Sequence, residues 1–292
     1  MLHILVVGGD KRYIHVIETL AKSENNLYLI GFDTVSFDKS NVKHAKLEHM
    51  DLSIIDAIIL PIAGTDERGQ VEIMYANGHF YLTEQILSST PDHCTIYTGT
   101  ANDYLQGMCK AAQRSLIRLF DRDDVAIYNS IPTAEGALKI AIEETEETIH
   151  NANVCVLGFG RVGKTVARLF HAVGANVYVV ARNHADLARV TEMGLTPIKP
   201  NRLHKLLADM AICINTIPSL AIDDERLTNM SISTVIIDLA SKPGGVDFVT
   251  AQRRGIKAVH ALGLPGKTAP KTAGRIIANI LMESLKSEQK HQ

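Results

Sequence analysis

Cysteine is scarce: the chain has four, Cys94, Cys109, Cys155 and Cys213, and no two stand at CxxC spacing. That excludes a zinc knuckle and a disulfide framework. Cys155 and Cys213 fall inside apolar runs that read as core strands, where a thiol serves as a small buried hydrophobe. The twelve histidines show no HExxH or paired spacing, so no metal site is expected. Charge of either sign is in little excess, with a net of -2, which leaves no electrostatic footprint for nucleic acid. No apolar run exceeds strand length, and the N-terminus enters a strand, Leu2 to Val7, without a signal peptide. The expectation is a soluble cytoplasmic protein with no membrane span. Low-complexity tracts are missing and 46% of residues are hydrophobic, so disorder is expected only in the tail Ser287 to Gln292. No Ser-His-Asp set and no pair of catalytic carboxylates can be picked out.

What the chain does have is a phosphate-binding turn in full context. Val154, Cys155, Val156 and Leu157 form a buried-strand run that leads into Gly158-Phe159-Gly160-Arg161-Val162-Gly163. An apolar stripe, Val162, Val166, Leu169 and Val173, then marks a helix. A strand, Asn176 to Val180, completes a βαβ unit. In this pattern the first glycine permits the tight turn, the second lets backbone approach a pyrophosphate, and the third lets helix and strand pack closely. The unpaired amides at the helix start face the phosphates.

The second strand ends in Val180-Ala181-Arg182-Asn183. A carboxylate that would bind the ribose 2′-hydroxyl of NAD is missing there, and a guanidinium that can bond a 2′-phosphate is present. NADP is expected, with NAD as the alternative.

At 292 residues the chain is long enough for two domains. The first half alternates strand and helix: Leu2 to Val7, a helix from Arg12 to Lys22, then strands Leu27 to Phe32, Ile54 to Leu60 and Thr95 to Thr98. The second half continues with helix Ala185 to Met193, Thr196 to Ile198, helix Arg202 to Leu207, strands Met210 to Asn215 and Thr234 to Leu239, helix Asp247 to Arg254 and strand Lys257 to His260. Two Rossmann-like α/β domains are expected, each a parallel sheet flanked by helices, with a cleft between them. The first, flavodoxin- or Rossmann-like, spans 1–130 and is joined by a C-terminal helix within 271–292. The nucleotide domain spans 151–270. Between them Thr133 is a plausible N-cap, after a proline loop Asn129 to Thr133, for a connecting helix within 131–150. That helix would bury Leu138, Ile142, Thr145 and Ile149 and expose Glu143, Glu144, Glu146 and Glu147.

In an open α/β sheet, ligands bind beyond the carboxyl ends of the strands. Three loops of the second half qualify: Asn215-Thr216-Ile217-Pro218, Ala240-Ser241-Lys242-Pro243-Gly244-Gly245, and Ala261-Leu262-Gly263-Leu264-Pro265-Gly266. Their small residues suit close approach of a flat ring. With the fingerprint, Arg182 and Asn183, they make Asn215, Thr216, Ile217, Pro218, Ala240, Ser241, Gly263, Leu264 and Pro265 candidate cofactor contacts. From the first half, Thr65 and the Asn129 to Thr133 segment, with Ser130 and Thr133, are candidate substrate contacts. So are Lys11 and Arg12, as charges for a carboxylate. Ser241, Lys242 and Asp10 are candidates for moving a proton. The first turn, Gly8-Gly9-Asp10-Lys11-Arg12, lacks the full glycine spacing and reads equally as a vestigial nucleotide site, an anion site or a tight turn.

Several motifs in order carry a family resemblance: Gly8-Gly9-Asp10, Asn129-Ser130-Ile131-Pro132-Thr133-x-Glu135-Gly136, Ile214 to Ser219, Asp238 to Gly245, and Gly263-Leu264-Pro265-Gly266 with Ala269 to Gly274. Together they resemble the family of dipicolinate synthase A subunits, over nearly the whole chain. The resemblance implies oxidation of dihydrodipicolinate, or of its hydrated precursor from the lysine pathway, to dipicolinate with reduction of a nicotinamide cofactor. It also implies the flavoprotein-like B subunit of dipicolinate synthase as partner, a small dicarboxylate as substrate and the mother cell of a sporulating bacterium as setting; a homo-oligomer is expected as well. The alternatives are another two-domain dehydrogenase of a small acid, of shikimate or amino-acid type, and a nucleotide-sensing protein without redox chemistry.

Overall fold

A computed structural model describes residues 1–289. The chain divides into two compact units, Met1–Ala126 with Ala269–Gln292, and Ile127–Thr268. Unit 1 opens with β1 (His3–Val7), α1 (Lys11–Leu20), β2 (Asn26–Ile30), β3 (Val42–His44) and β4 (Ala57–Ile59). A hairpin follows, β5 (Gln70–Val71) and β6 (Phe80–Tyr81), then α2 (Glu84–Ser88), β7 (Thr95–Thr98), α3 (Asp103–Ala111) and β8 (Ser115–Arg118). Helix α4 (Asp123–Glu144) carries the chain across the boundary. Unit 2 runs through β9 (Asn153–Leu157), α5 (Arg161–Ala172), β10 (Asn176–Val180), α6 (His184–Glu192), β11 (Thr196–Ile198) and β12 (Ile212–Asn215). It ends with α7 (Asp224–Thr228), β13 (Val235–Asp238), α8 (Phe248–Arg253), β14 (Lys257–His260) and α9 (Leu264–Thr268), before α10 (Pro270–Gln289) returns to unit 1.

Each unit holds a six-stranded parallel sheet, in the orders β3-β2-β1-β4-β7-β8 and β11-β10-β9-β12-β13-β14. The chain reverses direction across the sheet between β1 and β4, and again between β9 and β12. These are the switch points at which doubly wound folds bind nucleotides. The central strands are apolar along most of their length because both faces are covered. Val154 and Val156 of β9 enter one core while Cys155 and Leu157 enter the other. Strand β1 behaves alike, with Ile4 and Val6 on one side and Leu5 and Val7 on the other.

Helix α10 belongs to unit 1, where Ile277, Ala278, Leu281 and Leu285 share a core with Val16, Ile17 and Leu20 of α1. Burial of each large side chain there contributes about 1.5–3 kcal/mol. The helix continues to Gln289, so Ser287 to Gln289 are helical, contrary to the expected disordered tail. The rest of that tail lies outside the described residues.

The region before the fingerprint departs most from expectation. Asn129 to Thr133 form no loop: they lie within α4, which has Pro132 in its interior and ends at Glu144, not His150. Proline removes one helical donor and crowds the preceding turn. Here two hydroxyls occupy nearby carbonyls: Ser130 Oγ donates to Ile127 O at 2.6 Å and Thr133 Oγ1 to Asn129 O at 2.8 Å. Asp123 and Asp124 in the first turn suit the positive helix end. Thr133 is therefore no N-cap. The buried face centres on Ser130, Ala134, Ala137 and Ala141; of the expected set Leu138 packs on the core and Ile149 is buried beyond the helix, while Ile142 is 60% exposed. Small residues won because α4 lies close to α9: a Cβ on Gly136 would sit 2.7 Å from Thr268 Oγ1 and 3.0 Å from Leu264 Cβ. Of the glutamates, Glu144 meets Lys257 at 2.7 Å and Glu143 meets Lys139 at 3.6 Å.

Two smaller differences concern unit 2. The segment Arg202 to Leu207 is a 3-10 turn over Pro200–Lys205, begun by a proline at its first position. Leu264–Thr268 is helical where a loop is expected. All four cysteines are buried, and none of them forms a disulfide. Among the described residues, no helix is long and apolar enough to cross a membrane.

Candidate functional site

At the switch point of unit 2, β9 feeds directly into the glycine turn and α5. Gly158 has φ +97°, a left-handed value that glycine adopts at little cost. A Cβ on it would lie 3.0 Å from Ile217 Cγ1, and one on Gly163 would overlap the Gly158 carbonyl. These two glycines are thus fixed by the protein's own packing. Gly160 is not: a Cβ there would meet no atom within 4 Å. Its small size answers no intramolecular need, and the space beside it is a cradle that a side chain would fill.

Gly160 is also the N-cap of α5, with no side-chain bond to the helix amides and no acid in the first turn. The positive helix end is therefore presented to the cradle. Arg161 and Lys164 add charge nearby, and Lys164 Nζ lies 5.2 Å from the centre of the Phe159 ring, a cation–π distance that steadies it. The buried face of α5 is Gly163, Val166, Ala167 and Phe170, with Val162, Leu169 and Val173 at its margins. Beyond β10, Arg182 is exposed. Asn183 caps α6 by accepting from Asp186 N at 2.7 Å, and its amide donates to Asp186 Oδ2 at 2.5 Å. The carboxylate nearest in sequence is therefore turned onto Asn183.

Across the switch point, Thr216 Oγ1 donates to Leu157 O at 2.8 Å, so its hydroxyl ties β12's exit to β9. Asn215 is bound more firmly. Its Oδ1 accepts from Ile217 N at 3.1 Å, and its Nδ2 donates to Ile217 O at 3.0 Å and to Asp238 Oδ1 at 2.8 Å. Asp238 is fully buried. It also accepts from Ala240 N at 3.0 Å and Gly245 N at 2.7 Å. One carboxylate thereby fixes both ends of the Ala240–Gly245 loop, and the tip of that loop, Ser241, Lys242 and Pro243, is exposed. His260 supports it from β14: Nε2 lies 3.0 Å from Ala240 O and its ring stacks on Phe248. Gly263 sits in an open turn, whereas Leu264 and Pro265 are buried where α9 begins.

Asp238 and His260 hold this loop in place, a part that the sequence motifs do not assign to them. The signal was present: Asp238 is the one charge in the otherwise apolar strand Val235–Asp238 and directly precedes a loop with paired glycines. A buried charge in such a place needs partners, and backbone amides of the next loop are the nearest supply.

The corresponding turn of unit 1 is filled by the protein itself. Gly9 N donates to Glu72 O at 2.8 Å, Gly9 bridges Ile73, and a Cβ on Gly8 would overlap the Glu72 carbonyl. The segment leading through β5 thus occupies the crevice that unit 2 leaves open. Of the three readings of Gly8 to Arg12, the structure has the packed turn. Asp10 caps α1 through Arg12 N at 2.9 Å and holds the Arg12 guanidinium, with Nη2 to Oδ2 at 2.7 Å. The pair is 19% and 12% exposed, so each charge is neutralised by the other. Burial, then the charge on Asp10, pushes the Tyr75 phenol above its ordinary pKa. Lys11 is exposed at the start of α1.

The remaining candidates scatter. Ser130 and Thr133 belong to unit 2, on α4. Ser130 is 1% exposed and shares a bond with Thr165 Oγ1 at 2.7 Å, so a tertiary contact consumes the hydroxyl that sequence suggests for substrate. Thr65 is 6% exposed and its Oγ1 has no partner among the described residues. Its carbonyl accepts from Asn102, the N-cap of α3, at 2.9 Å.

Comparison with known proteins agrees with this geometry. Residues 3–120 match the family model for the N-terminal domain of the dipicolinate synthase A subunit. Residues 133–242 match the NAD-binding domain of D-isomer specific 2-hydroxyacid dehydrogenases. Over 284 residues, 97% of this chain and 96% of the relative, the sequence is 46% identical to the dipicolinate synthase A subunit of Bacillus subtilis (strain 168). The chain belongs to the family of dipicolinate synthase A subunits. The crystal structure of the A subunit from Bacillus halodurans is similar at a TM-score of 0.94 and 47% identity, covering 97% of both chains. That of the Bacillus subtilis A subunit also gives 0.94, at 46% identity, covering 100% of this chain and 98% of the other. As a dipicolinate synthase homologue with a dehydrogenase-type NAD-binding domain, the protein is an oxidoreductase using a nicotinamide dinucleotide, and the α5 cradle has the form that such a cofactor requires.

Proposed function

We propose that the chain oxidises dihydrodipicolinate, or its hydrated precursor from the lysine pathway, to dipicolinate, using NADP held by unit 2. The observation that carries this reading is the open cradle at Gly160, in a chain 46% identical to the dipicolinate synthase A subunit of Bacillus subtilis. Gly158, Phe159, Gly160, Arg161, Val162 and Gly163 hold the pyrophosphate on α5. Arg182 bonds the 2′-phosphate, and Asn183 holds the turn beside it through its cap. Thr216 to Pro218, Ser241 and Gly263 line the rest of the site, and the buried Asn215, Ala240, Leu264 and Pro265 hold those loops from beneath.

When bound at the α5 cradle by Gly158 to Gly163, the nicotinamide nucleotide would supply the hydride acceptor. The chain's own task is to orient the dicarboxylate and to take the proton released with it. Lys242 offers a cation to one carboxylate, and Ser241 beside it relays the proton outward. Both ride on the loop that Asp238 anchors, so their position is fixed by a buried carboxylate and not by their own contacts. Of the unit 1 candidates, Lys11 is exposed at the start of α1 and Thr65 is buried. Arg12 and Asp10 serve that turn as a bonded pair, and Asp10 is set aside as a base because Arg12 already holds it.

The flavoprotein-like B subunit of dipicolinate synthase is the proposed partner, in the cytoplasm of the mother cell of a sporulating bacterium, with the present chain itself a homo-oligomer. The test is incubation of the purified chain with dihydrodipicolinate and NADP, with and without the B subunit, while pyridine absorbance is followed. Product in either arm supports the reading, and product in neither refutes it.

A further inference from the structure

Unit 1 contains a cavity of about 550 Å³ flanking α1, away from the glycine turn that Glu72 fills. Its walls come from the later turns of α1, the segment between β2 and β3, and the first turns of α10. Four lining side chains are cations, Lys22, Lys39, Lys271 and Arg275, against two carboxylates, Glu18 and Asp38. That is an excess of two positive charges in a chain whose net charge is -2. Glu18 is already engaged by His15 Nδ1 at 2.8 Å. None of the four cations forms an ion pair with a described residue. Like charges gathered on one cavity repel one another, and an anion among them relieves that repulsion.

The walls are held in place by packing. Gly274, between Lys271 and Arg275, lets α10 lie against α1 so closely that a Cβ would overlap the Arg12 carbonyl and sit 2.8 Å from His15 Cβ. Lys271 and Arg275 stand one helical turn apart and project from the same face. Phe37, partly buried against the unit 1 core, supplies an apolar wall beside the cations. The volume suits a small molecule. Cations beside an aromatic wall suit a planar body with two negative charges.

We infer that this cavity is a second binding site, distinct from the cofactor cradle, for a small planar organic anion of the dicarboxylate or phosphate-ester class. Such a site does not depend on the reaction proposed above. Calorimetric titration of the full chain, saturated with NADP, tests it with two probes, dipicolinate and AMP. At least one probe is expected to bind saturably, and which of the two binds distinguishes the classes. A Lys271→Gln/Arg275→Gln double variant is expected to weaken that binding by about tenfold or more, since charge-assisted bonds are lost. Lys39→Gln, on a different wall, is expected to weaken it as well. All three side chains are exposed, so an unchanged urea midpoint confirms that the variants fold. Saturable binding of neither probe, or binding of full strength in both variants, overturns the assignment.

Discussion

The side-chain amide of Asn215 donates to the carboxylate of Asp238 at 2.8 Å, between fully buried residues that face each other at the ends of β12 and β13. The same carboxylate receives the backbone of Ala240 and Gly245. Replacing it by Asp238→Ala leaves three donors without their acceptor. The expected cost is about 3 kcal/mol of stability, each orphaned buried donor costing about 1–3 kcal/mol when nothing relaxes. Urea unfolding measures it. A parallel fluorescence titration is expected to show weaker nicotinamide binding, because the Ser241 and Lys242 loop is no longer anchored.

Gly160 and Gly163 of the fingerprint are expected to respond differently to the same substitution. Gly160→Val, entering open space, costs only about 1 kcal/mol of unfolding free energy, as a poorer N-cap for α5. It weakens cofactor binding by roughly a hundredfold, or about 2.7 kcal/mol. Gly163→Val, entering the Gly158 carbonyl, destabilises by about 3 kcal/mol or more. Denaturation and equilibrium binding on both variants separate the two roles.

The proposed NADP preference rests on Arg182. Arg182→Ala is expected to weaken NADP by roughly 10- to 100-fold, the range for losing a charged hydrogen bond of about 1.5–3 kcal/mol, while NAD binding stays the same. Binding titrations with both nucleotides check it. Equal losses for the two would remove Arg182 from the 2′-phosphate.

Much of unit 2 can be read from sequence because several signals coincide there. Apolar β9, the spaced glycines and the stripe on α5 each imply the same βαβ unit. Unit 1 is less readable at its site. The segment that fills its turn has strands of only two residues, Gln70–Val71 and Phe80–Tyr81, too short for any periodicity, so nothing in Gly8-Gly9-Asp10 announces Glu72 above it. Helix α4 hides for another reason. Pro132 carries a strong local signal for a break, and close packing by Ala134, Gly136 and Ala137 overrides it. Ser130 and Thr133 then look like loop hydroxyls although their bonds lie within the helix or against α5.

Burial, followed by the neighbouring Cys94, pushes the Cys109 thiol from an ordinary value near 9 up to about 11. The unfolded chain ionises this thiol first. Its contribution to stability is therefore full below pH 9 and is lost as pH rises from there through 11. Between those limits the urea midpoint of wild type is expected to fall more steeply than that of Cys109→Val. Parallel slopes would mean that Cys109 does not titrate in this way.

The most direct test of the central claim is the stoichiometry of a single incubation of the chain and the B subunit with dihydrodipicolinate and NADP. Dipicolinate and NADPH should form in equal amounts, and Gly160→Val should suppress both together. Dipicolinate formed without NADPH, or unchanged turnover in Gly160→Val, would contradict hydride transfer at the α5 cradle.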